Sequence, residues 1–579
     1  MMSKQRSEQA ISLTDLWVDR AVYRPGEAAT LLLLVHNREE HPVTALLHVA
    51  LSWLDQEVSG YDQWLEIQPG QQQVSLPLAL PVESFRGYGV DVTLGDEGAS
   101  PWARRSTALD VLENWTQAPR YGFLSDFAPG DHGAEAACAS LARYHVNLAQ
   151  FYDWMWRHYI LMPPEEEFSD ALGRRVSLRV VREKVAACRA QGIAAMGYAA
   201  VYGAEPEYAL EHPAEMLYDE EGKPYSLAEL FYIMNIHADN PWRALILAEM
   251  ARAVREVPFD GLHLDQYGFP KGQVFGPAPQ RVPYDLAEDF PVFIDAARAA
   301  IREARPDARV IFNAVENWPI ETVAPTGQDA TYIEVWPPYT NYADLQKLIL
   351  EARRLAPEKQ VILAAYLTPL KGAREADVLQ AESATRLASA AIWANGGFHL
   401  LMGERDGALC DPYYPLYASL RPEFADIMRG LYDFVVRYEN TLSDPRLVTA
   451  PVDEVLQRIQ IQGSAVSATG EAGTVWAILR QMPQFLTVSL INLSTAPDAA
   501  WNAPKPLAET LRDVSIELRV SGEITGVYVA SPERDEGRPC SLVYRLAQRD
   551  GATWLQTTLP ALEYWSVLTI KTTGTTDPA

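Results

Sequence analysis

Three carboxylate side chains stand beside aromatic residues, each at the end of a short apolar run. Asp265 lies in HLDQYG (263–268), Glu316 in NAVENW (313–318) and Glu334 in YIEVWP (332–337). Cleavage of a glycosidic acetal takes one carboxylic acid that protonates the leaving oxygen and a second carboxylate that attacks the anomeric carbon or activates water. Neighbouring aromatic rings offer faces on which sugars stack. The spacing therefore predicts sugar chemistry; the alternative is that each acid is a helix N-cap or a surface charge.

The segment 119–440 alternates short β-like runs with amphipathic helical patterns. The predicted strands are 121–127, 146–152, 193–201, 261–267, 310–315, 330–336, 361–367 and 397–402, with helices such as 178–191, 242–257 and 290–304 between them. This alternation predicts a parallel sheet, and eight units favour a (β/α)8 TIM barrel over an open doubly wound sheet. No glycine-rich nucleotide fingerprint follows any of these strands. Because a barrel gathers its chemistry at the C-terminal ends of its strands, we expect the three acids at one mouth.

The flanking segments have the pattern of antiparallel strands. In the N-terminal segment the predicted strands are 30–35, 43–53, 74–80 and 89–94, which suit an immunoglobulin-like β-sandwich without a cysteine pair. In the C-terminal segment they are 474–479, 485–493, 514–520, 526–529 and 565–570. We expect a multidomain α/β protein, with an immunoglobulin-like β-sandwich at 11–117, a catalytic (β/α)8 barrel at 118–443 and an antiparallel β-sandwich at 444–572.

Composition narrows the classes of partner. The 579 residues include 49 Lys and Arg against 76 Asp and Glu, a net charge of −27. A chain this acidic is not drawn to phosphate backbones or anionic lipid, so we expect neither nucleic acid nor membrane as a partner. No apolar run approaches the roughly 18 residues that span a bilayer, and none follows Lys4 and Arg6 as it would in a signal peptide. We expect a cytoplasmic monomer, or a secreted one if a leader has been removed.

Histidines and cysteines give no sign of a metal or a serine-hydrolase site. The chain has 10 His in neither an HxxxH nor an HExxH pattern, and it has no GxSxG sequence. We expect no catalytic metal and no cofactor. The cysteines are widely spaced, form no CxxC pair and are interpreted as small buried apolar residues. They are Cys138, Cys188, Cys410 and Cys540.

Six sequence blocks, in order, resemble glycoside hydrolase family 66, which holds endo-dextranases and cycloisomaltooligosaccharide glucanotransferases. FDGLHLDQYG (259–268) is similar to the family's nucleophile strand, and YIEVW (332–336) to its acid/base block. QFYDWM (150–155) and FNAV (312–315) resemble its second-strand and fifth-strand blocks. YDF with RYEN (432–434 and 437–440) and PALEYW (560–565) resemble later blocks. The resemblance extends from about residue 12 to residue 570.

The resemblance implies a mechanism and a substrate. Asp265 would be the nucleophile and Glu334 the general acid/base, with Glu316 as the rival for the second role. The implied enzyme is an endo-acting, retaining hydrolase of α-1,6-glucosidic linkages in dextran and isomaltooligosaccharides, working through a covalent glycosyl-enzyme. A retaining pair predicts carboxyl groups roughly 5–5.5 Å apart.

Further residues are predicted to contact the substrate. Asp153 is a third carboxylate, and the aromatic rings expected first against sugar are Trp154 and Trp336. His263 lies two positions before Asp265 on the same strand, so both side chains point to the same face and His263 is predicted to contact substrate. The alternative is that His263 is a histidine of the barrel core. The stretch 203–240, with Glu205, is expected to shape the substrate groove. The full predicted substrate-binding set is Asp153, Trp154, Tyr152, His263, Gln266, Asn313, Glu316, Trp336, Tyr366 and Asp411.

Three functional alternatives remain. The family's cyclising transferases carry a carbohydrate-binding module between strands seven and eight, whereas positions 367–397 leave room here for only a loop and one helix (375–395). This departure favours hydrolysis over cyclising transfer. A non-catalytic carbohydrate-binding protein on the same barrel would be expected to lack one catalytic carboxylate, and both are present. A glycosidase of another linkage class would use the same acids.

Overall fold

The computed structural model describes residues 10–573, except for the side chain of Ala376. The first part forms two antiparallel sheets that enclose one apolar core. Its strands are β1 (Ile11–Val18), β2 (Ala28–Asn37), β3 (Val43–Trp53), β4 (Gln56–Ile67), β5 (Gly70–Ala79), β6 (Arg86–Gly95) and β7 (Ala103–Val111). One sheet has the order β1-β2-β5 and the other β4-β3-β6-β7. In β2, the alternate residues Leu31, Leu33 and Val35 are buried, as in a strand with one face on a core.

Eight parallel strands form the central sheet, and their order in the sheet follows the chain. They are β8 (Tyr121–Leu124), β9 (Leu148–Phe151), β10 (Ala194–Ala200), β11 (Gly261–Asp265), β12 (Arg309–Val315), β13 (Ala330–Glu334), β14 (Val361–Ala364) and β15 (Gly397–His399). After β15, the short strand Met402–Gly403 pairs in parallel with β8 through Gly403 and Phe123. The chain therefore returns to the side of β8 after β15, and the eight parallel strands coincide with the eight predicted ones to within a few residues.

Helices follow most of these strands along the chain. They are α1 (Ala134–Ala142), α2 (Leu178–Ala190), α3 (Pro241–Glu256), α4 (Leu286–Ala304), α5 (Tyr342–Leu355), α6 (Ala376–Ala394) and α7 (Pro422–Arg437). In α4, Phe290, Phe293 and Ile294 lie on the buried face, at the spacing of an amphipathic helix. Asp285 caps that helix by accepting a hydrogen bond from the Ala287 amide. Among residues 10–573, no helix combines the length and the apolarity needed to cross a bilayer.

The long stretch after β10 is folded rather than a bare loop. Its short strands Gly203–Ala204, Ser226–Leu227 and Phe231–Ile233 form a small antiparallel sheet. A hairpin after β11, Gln273–Phe275 with Pro283–Asp285, lies beside it, because Tyr218 and Phe275 exchange backbone hydrogen bonds. Both excursions follow the C-terminal ends of neighbouring strands, so they line one side of the region where the predicted acids meet.

The last part of the chain forms two further antiparallel sheets around a second apolar core. The longer strands are β16 (Ile459–Ile461), β17 (Val475–Met482), β18 (Phe485–Asn492), β19 (Leu511–Val520), β20 (Ile524–Ala530), β21 (Tyr544–Arg549), β22 (Ala552–Leu562) and β23 (Trp565–Thr572). One sheet contains β17-β18-β23-β20, and the other has the order β16-β19-β22-β21. Val488, Leu518 and Leu555 are buried in this core, where the apolar faces of the two sheets meet.

Segment 432–440, which spans the end of α7 and the start of the short helix Glu439–Leu442, joins the N-terminal sheets to the central sheet. Arg437 donates two hydrogen bonds to the Asp91 carboxylate, both of 2.8 Å. Arg120 is buried between Asp110 and Glu439, with nitrogen–oxygen distances of 2.7 and 2.8 Å. Burial, together with the neighbouring Asp110, raises the pKa of Glu439 well above its ordinary value. Charged groups buried here are therefore compensated by partners from two parts of the chain.

Two glycines of β6 make this contact possible. A Cβ atom on Gly89 would lie 2.2 Å from the guanidinium carbon of Arg437, and one on Gly87 would lie 1.8 Å from the Val436 carbonyl oxygen. Asn440 also approaches, accepting a hydrogen bond of 3.2 Å from the Gly87 amide. A larger residue at Gly87 would push α7 away from the N-terminal sheet, and one at Gly89 would displace the Arg437 guanidinium.

Replacing Arg437 with Met is expected to lower the free energy of unfolding by about 3–5 kcal/mol, because the buried Asp91 carboxylate loses its partner. Burial raises the pKa of Asp91, but the hydrogen bond and charge of Arg437 outweigh it and hold that pKa below its ordinary value. The contribution of this pair to the free energy of unfolding is thus fully present above the ordinary pKa of Asp. It is lost as the pH falls through the lowered pKa that Asp91 has in the folded protein. Urea unfolding at pH 7 measures the change.

The matched control is Arg179→Met, which breaks an exposed pair with Glu183 on α2. A pair of that kind contributes about 0.5 kcal/mol. Equal losses for Arg437→Met and Arg179→Met would contradict the assigned importance of the buried pair.

Candidate active site

A single side-chain amide connects the two best-placed carboxyl groups. Asp265 is the last residue of β11 and Glu334 the last of β13, while Asn313 lies in β12 between them. The Asn313 amide nitrogen donates to Asp265 Oδ1 at 2.7 Å and to Glu334 Oε2 at 2.9 Å. These two carboxylate oxygens are therefore no further apart than the sum of the two hydrogen-bond lengths.

Two tyrosine hydroxyls hold the outer oxygens of the same pair. Tyr198 of β10 donates to Asp265 Oδ2 at 2.7 Å, and Tyr366, which follows β14, donates to Glu334 Oε1 at 2.6 Å. Each carboxyl group thus accepts one hydrogen bond from a tyrosine and one from the shared Asn313. Five consecutive strands of the sheet position this cluster, and its hydrogen bonds orient both carboxyl groups.

The carboxyl pair is set up to hold a proton. Burial raises the pKa of Asp265, and the nearby Glu334 charge raises it further, against the hydrogen bonds from Tyr198 and Asn313. Burial also raises the pKa of Glu334, while hydrogen bonds from Tyr366, Asn313 and Trp336 oppose the rise. Two carboxylates this close share one proton more readily than they both ionise. One member can therefore act as an acid while the other is a carboxylate.

A third carboxylate, Asp153, follows β9 at the same end of the sheet. Its backbone φ is 50°, in the left-handed region, and Arg174 holds this turn by donating to the Asp153 carbonyl oxygen at 3.0 Å. The Arg174 guanidinium also lies 3.7 Å from the Asp153 carboxylate. Burial raises the pKa of Asp153 to about 6, although the charges of Arg174 and His158 oppose the rise.

His158 and Glu205 form a buried pair beside these acids that the sequence analysis did not connect. The His158 main-chain nitrogen and its ring Nδ1 both bond to Glu205 Oε1, at 3.0 and 2.9 Å. Burial lowers the pKa of His158, but the hydrogen bond and charge of Glu205, with the charges of Asp153 and Asp265, outweigh it and raise that pKa. The surroundings of His158 therefore favour its protonated form. Glu205 was noted only as part of the long excursion, and no local spacing relates residues 47 apart.

The predicted aromatic residues divide between core and site. Trp154 is fully buried and donates through Nε1 to the Tyr198 carbonyl oxygen at 3.0 Å, so the prediction that it stacks on sugar is wrong for this structure. Trp336 is half-buried, with its ring 5.9 Å from that of Tyr366. Tyr152 is half-buried and stacks on Tyr414 at 4.3 Å. The side chains of Trp336 and Tyr152 therefore remain partly exposed at the site.

Two other predicted contacts, His263 and Gln266, have protein partners of their own away from the carboxyl pair. His263 is buried inside the central sheet, with its ring Nδ1 3.2 Å from the Tyr121 hydroxyl, and burial lowers its pKa to about 3. Of the two interpretations given above, the structure therefore supports a histidine of the core. Gln266 is buried and donates to the carbonyl oxygens of Asn313 and Trp318, so it shapes the backbone instead of facing a ligand. Both differ from the predicted substrate contacts, because their polar atoms already have protein partners.

The rival acid Glu316 also lies outside the pair. Its φ of 56° turns the chain immediately after β12, and its carboxylate forms an ion pair with Lys271. Asp411 lies at the rim, where it pairs with Lys371 and accepts a hydrogen bond of 2.9 Å from the Tyr413 amide. Of the predicted substrate-binding residues, those that the structure gathers around the pair are Asp153, Tyr152, Asn313, Trp336 and Tyr366.

The cluster lacks the donor set of a metal site. Within residues 10–573, no group of three or more His, Cys, Asp or Glu side chains is arranged to hold a metal ion. The chemistry of the paired carboxyl groups is proton transfer and nucleophilic attack, which are the two operations that acetal cleavage requires.

Comparison with known proteins gives a consistent result. The sequence profile of Glycosyl hydrolase family 66 matches residues 18–569. The chain is 24% identical to a cycloisomaltooligosaccharide glucanotransferase of Niallia circulans, over 96% of this chain and 72% of that protein. It is 23% identical to a dextranase of Streptococcus salivarius, over 85% of this chain and 68% of that protein.

A solved structure shows the same fold. The cycloisomaltooligosaccharide glucanotransferase of a Paenibacillus species, solved with cycloisomaltoheptaose, superimposes with a TM-score of 0.88 and 22% sequence identity. The superposition covers 96% of this chain and 100% of that one. The profile match extends over nearly the whole chain, including both flanking parts and all three candidate carboxylates. The protein therefore belongs to glycosyl hydrolase family 66 and is a glycoside hydrolase.

Proposed function

We propose that this enzyme cleaves α-1,6-glucosidic linkages inside dextran and isomaltooligosaccharide chains with retention of anomeric configuration. The observation that carries the proposal is the Asn313 amide that bridges Asp265 and Glu334. It limits the separation of the bridged oxygens to the sum of 2.7 and 2.9 Å, below the roughly 6.5 Å at which inverting pairs begin. The substrate class is supported by the relatives named dextranase and cycloisomaltooligosaccharide glucanotransferase.

The proposed mechanism is a double displacement. Asp265 attacks C1 of the glucosyl unit as the bond from C1 to the leaving oxygen breaks, and Glu334 gives its proton to that oxygen. Glu334 then takes a proton from the acceptor hydroxyl, whose oxygen attacks C1 and releases Asp265. Asn313 holds both carboxyl groups throughout, and Tyr198 and Tyr366 orient their outer oxygens.

We also propose that the central sheet is a closed (β/α)8 barrel, flanked by β-sandwiches within the boundaries 11–117, 118–443 and 444–572. The chain-ordered parallel strands and the pairing of Gly403 with Phe123 support closure. The paired sheets around separate apolar cores support the two sandwiches. Closure would place Asp153, Asp265 and Glu334 around one mouth.

Water is the proposed acceptor, and the chain's own far end is the second candidate. Between β14 and β15 the chain forms only the turn Thr368–Leu370 and helix α6, which leaves no inserted module there. This supports hydrolysis. The second candidate, cyclising transfer, is favoured by the fold shared with the Paenibacillus transferase.

The product profile tests the proposal. Purified enzyme is incubated with dextran and, in parallel, with starch and pullulan, and the products are separated and weighed by mass spectrometry. Linear isomaltooligosaccharides from dextran alone are expected. Products lighter by one water would replace hydrolysis with cyclisation, and cleavage of starch but not dextran would overturn the linkage.

Replacing His158 with Gln is expected to move the acidic limb of the kcat/KM profile to higher pH. The imidazolium favours the ionised forms of Asp153 and Asp265, so its removal raises their pKa values, and activity on the acidic side is lost earlier as pH falls. We expect a shift of about 0.5–1 pH unit.

The matched control is His237→Gln, since His237 also pairs with a carboxylate, that of Asp289 on α4 at 2.8 Å, but its side chain is far more exposed than that of His158. Its profile should stay in place. An unchanged limb in His158→Gln, or an equal shift in the control, would contradict the electrostatic role.

A further inference from the structure

Two buried cysteines meet where α1 packs on α2. Cys138 of α1 and Cys188 of α2 are both fully buried, and their sulfur atoms are 3.0 Å apart. The remaining two cysteines differ: Cys410 lies near the Leu416 carbonyl oxygen, and Cys540 is exposed. The chain therefore holds one facing pair of thiols and two separate ones.

The helix packing brings the two side chains together. The buried face of α1 includes Ala137, Cys138 and Leu141, and Cys188 lies one turn after Lys184 on the buried face of α2. The Cys138 sulfur also lies 3.5 Å from the Lys184 carbonyl oxygen. A disulfide bond is about 2.05 Å long, so the sulfur atoms need to approach by only about 1 Å, which small side-chain rotations supply.

We propose that Cys138 and Cys188 form a disulfide bond under oxidising conditions. A small-molecule disulfide such as oxidised glutathione is the oxidant: one cysteine thiolate attacks it and forms a mixed disulfide, and the other cysteine displaces the second glutathione thiol. Two cysteine thiols and one oxidised glutathione thus give one protein disulfide and two reduced glutathione molecules. Because both sulfur atoms are fully buried, the exchange takes place before α1 and α2 close over them during folding.

The bond would enclose part of the candidate site. The loop it closes, 138–188, contains β9 together with Asp153 and His158. Lys184, one turn from Cys188, is itself buried and paired with Glu404, which accepts hydrogen bonds from the amides of Ser125 and Asp126 after β8. A cross-link here restricts the unfolded chain and leaves the packing of the folded state nearly unchanged, so it should add stability without altering the reaction.

Thiol counting and peptide mapping test the bond directly. The unfolded chain is refolded either in a glutathione redox buffer or in excess reductant, quenched with acid, and its thiols are counted in denaturant. We expect all 4 cysteines as thiols after reducing refolding and two of them after oxidising refolding. Non-reduced digestion should then give a peptide that links Cys138 to Cys188. Four remaining thiols, or a link that involves Cys410 or Cys540, would overturn the proposal.

Melting curves give a second readout. The oxidised protein should melt at least about 2 °C above the reduced protein. This difference should vanish in Cys138→Ala and persist in Cys540→Ala, which is the control at an exposed thiol. If Cys138→Ala fails to fold, the thiol count of the wild-type protein still decides, since no loss of free thiols after oxidising refolding would show that no cross-link forms between the helices.

Discussion

Asp265→Asn should lower the rate of dextran cleavage by roughly 10⁴-fold while the protein stays folded. Asn matches the size of Asp and can still accept a hydrogen bond, but it cannot displace a leaving group at C1. The substitution also removes a buried charge that the Glu334 carboxyl disfavours, so the thermal midpoint should be equal or higher. Release of reducing ends measures activity, and circular dichroism measures the midpoint.

The covalent step can be examined separately. In Asp265→Gly, external azide can enter the space of the missing carboxylate and attack C1, and the product should be a glycosyl azide of inverted configuration. Activity of Asp265→Asn within tenfold of the wild type would place the nucleophile elsewhere. An Asp265→Asn protein with a strongly lowered midpoint would instead point to a structural role.

Glu334→Gln should lower dextran cleavage by roughly 10³-fold, whereas Glu316→Gln should change it by less than about threefold. The two residues both follow strands of the sheet, but only Glu334 shares Asn313 with Asp265, and Glu316 is paired with Lys271. The basic limb of the pH profile should also disappear in Glu334→Gln, because the group whose deprotonation ends activity at high pH is no longer present.

Azide distinguishes the acid/base from a residue that merely binds substrate. In Glu334→Ala the second step loses its base, and azide, which needs none, should restore turnover and give an α-glycosyl azide with retained configuration. A loss of activity in Glu316→Gln with near-full activity in Glu334→Gln would reverse the assignment.

The central part of the fold was predictable from sequence because its signal is repeated. Eight short apolar runs with amphipathic helices between them gave the positions of all eight parallel strands of the central sheet. The N-terminal part was less accessible: β1, β4 and β7 were not among the four predicted strands. Most side chains of β4 are exposed, so it lacks the alternation that marks a strand with one buried face.

The site was predictable as a set of strand ends but not in its detail. Spacing alone left Glu316 and Glu334 equivalent, and the family resemblance favoured Glu334. The difference lies in backbone turns: positive φ at Glu316 and at Asp153 decides where each carboxylate points, and neither residue type marks such a turn reliably. Trp154 was misplaced for the same reason, since strand alternation no longer applies in the turn that follows β9.

The ion pairs around Arg120 and Arg437 bear on how this enzyme can be divided. If each β-rich part were an interchangeable module, its removal would only expose a surface. Here, removal of the N-terminal sheets would take Asp91 from Arg437 and would take from Arg120 one of its two partners, Asp110. Expressing 118–443 alone would therefore leave Arg437 without its carboxylate partner and Arg120 with Glu439 only. The N-terminal sheets and the catalytic part should unfold in one calorimetric transition, and recombination between relatives should succeed only when β6, β7 and α7 are inherited together.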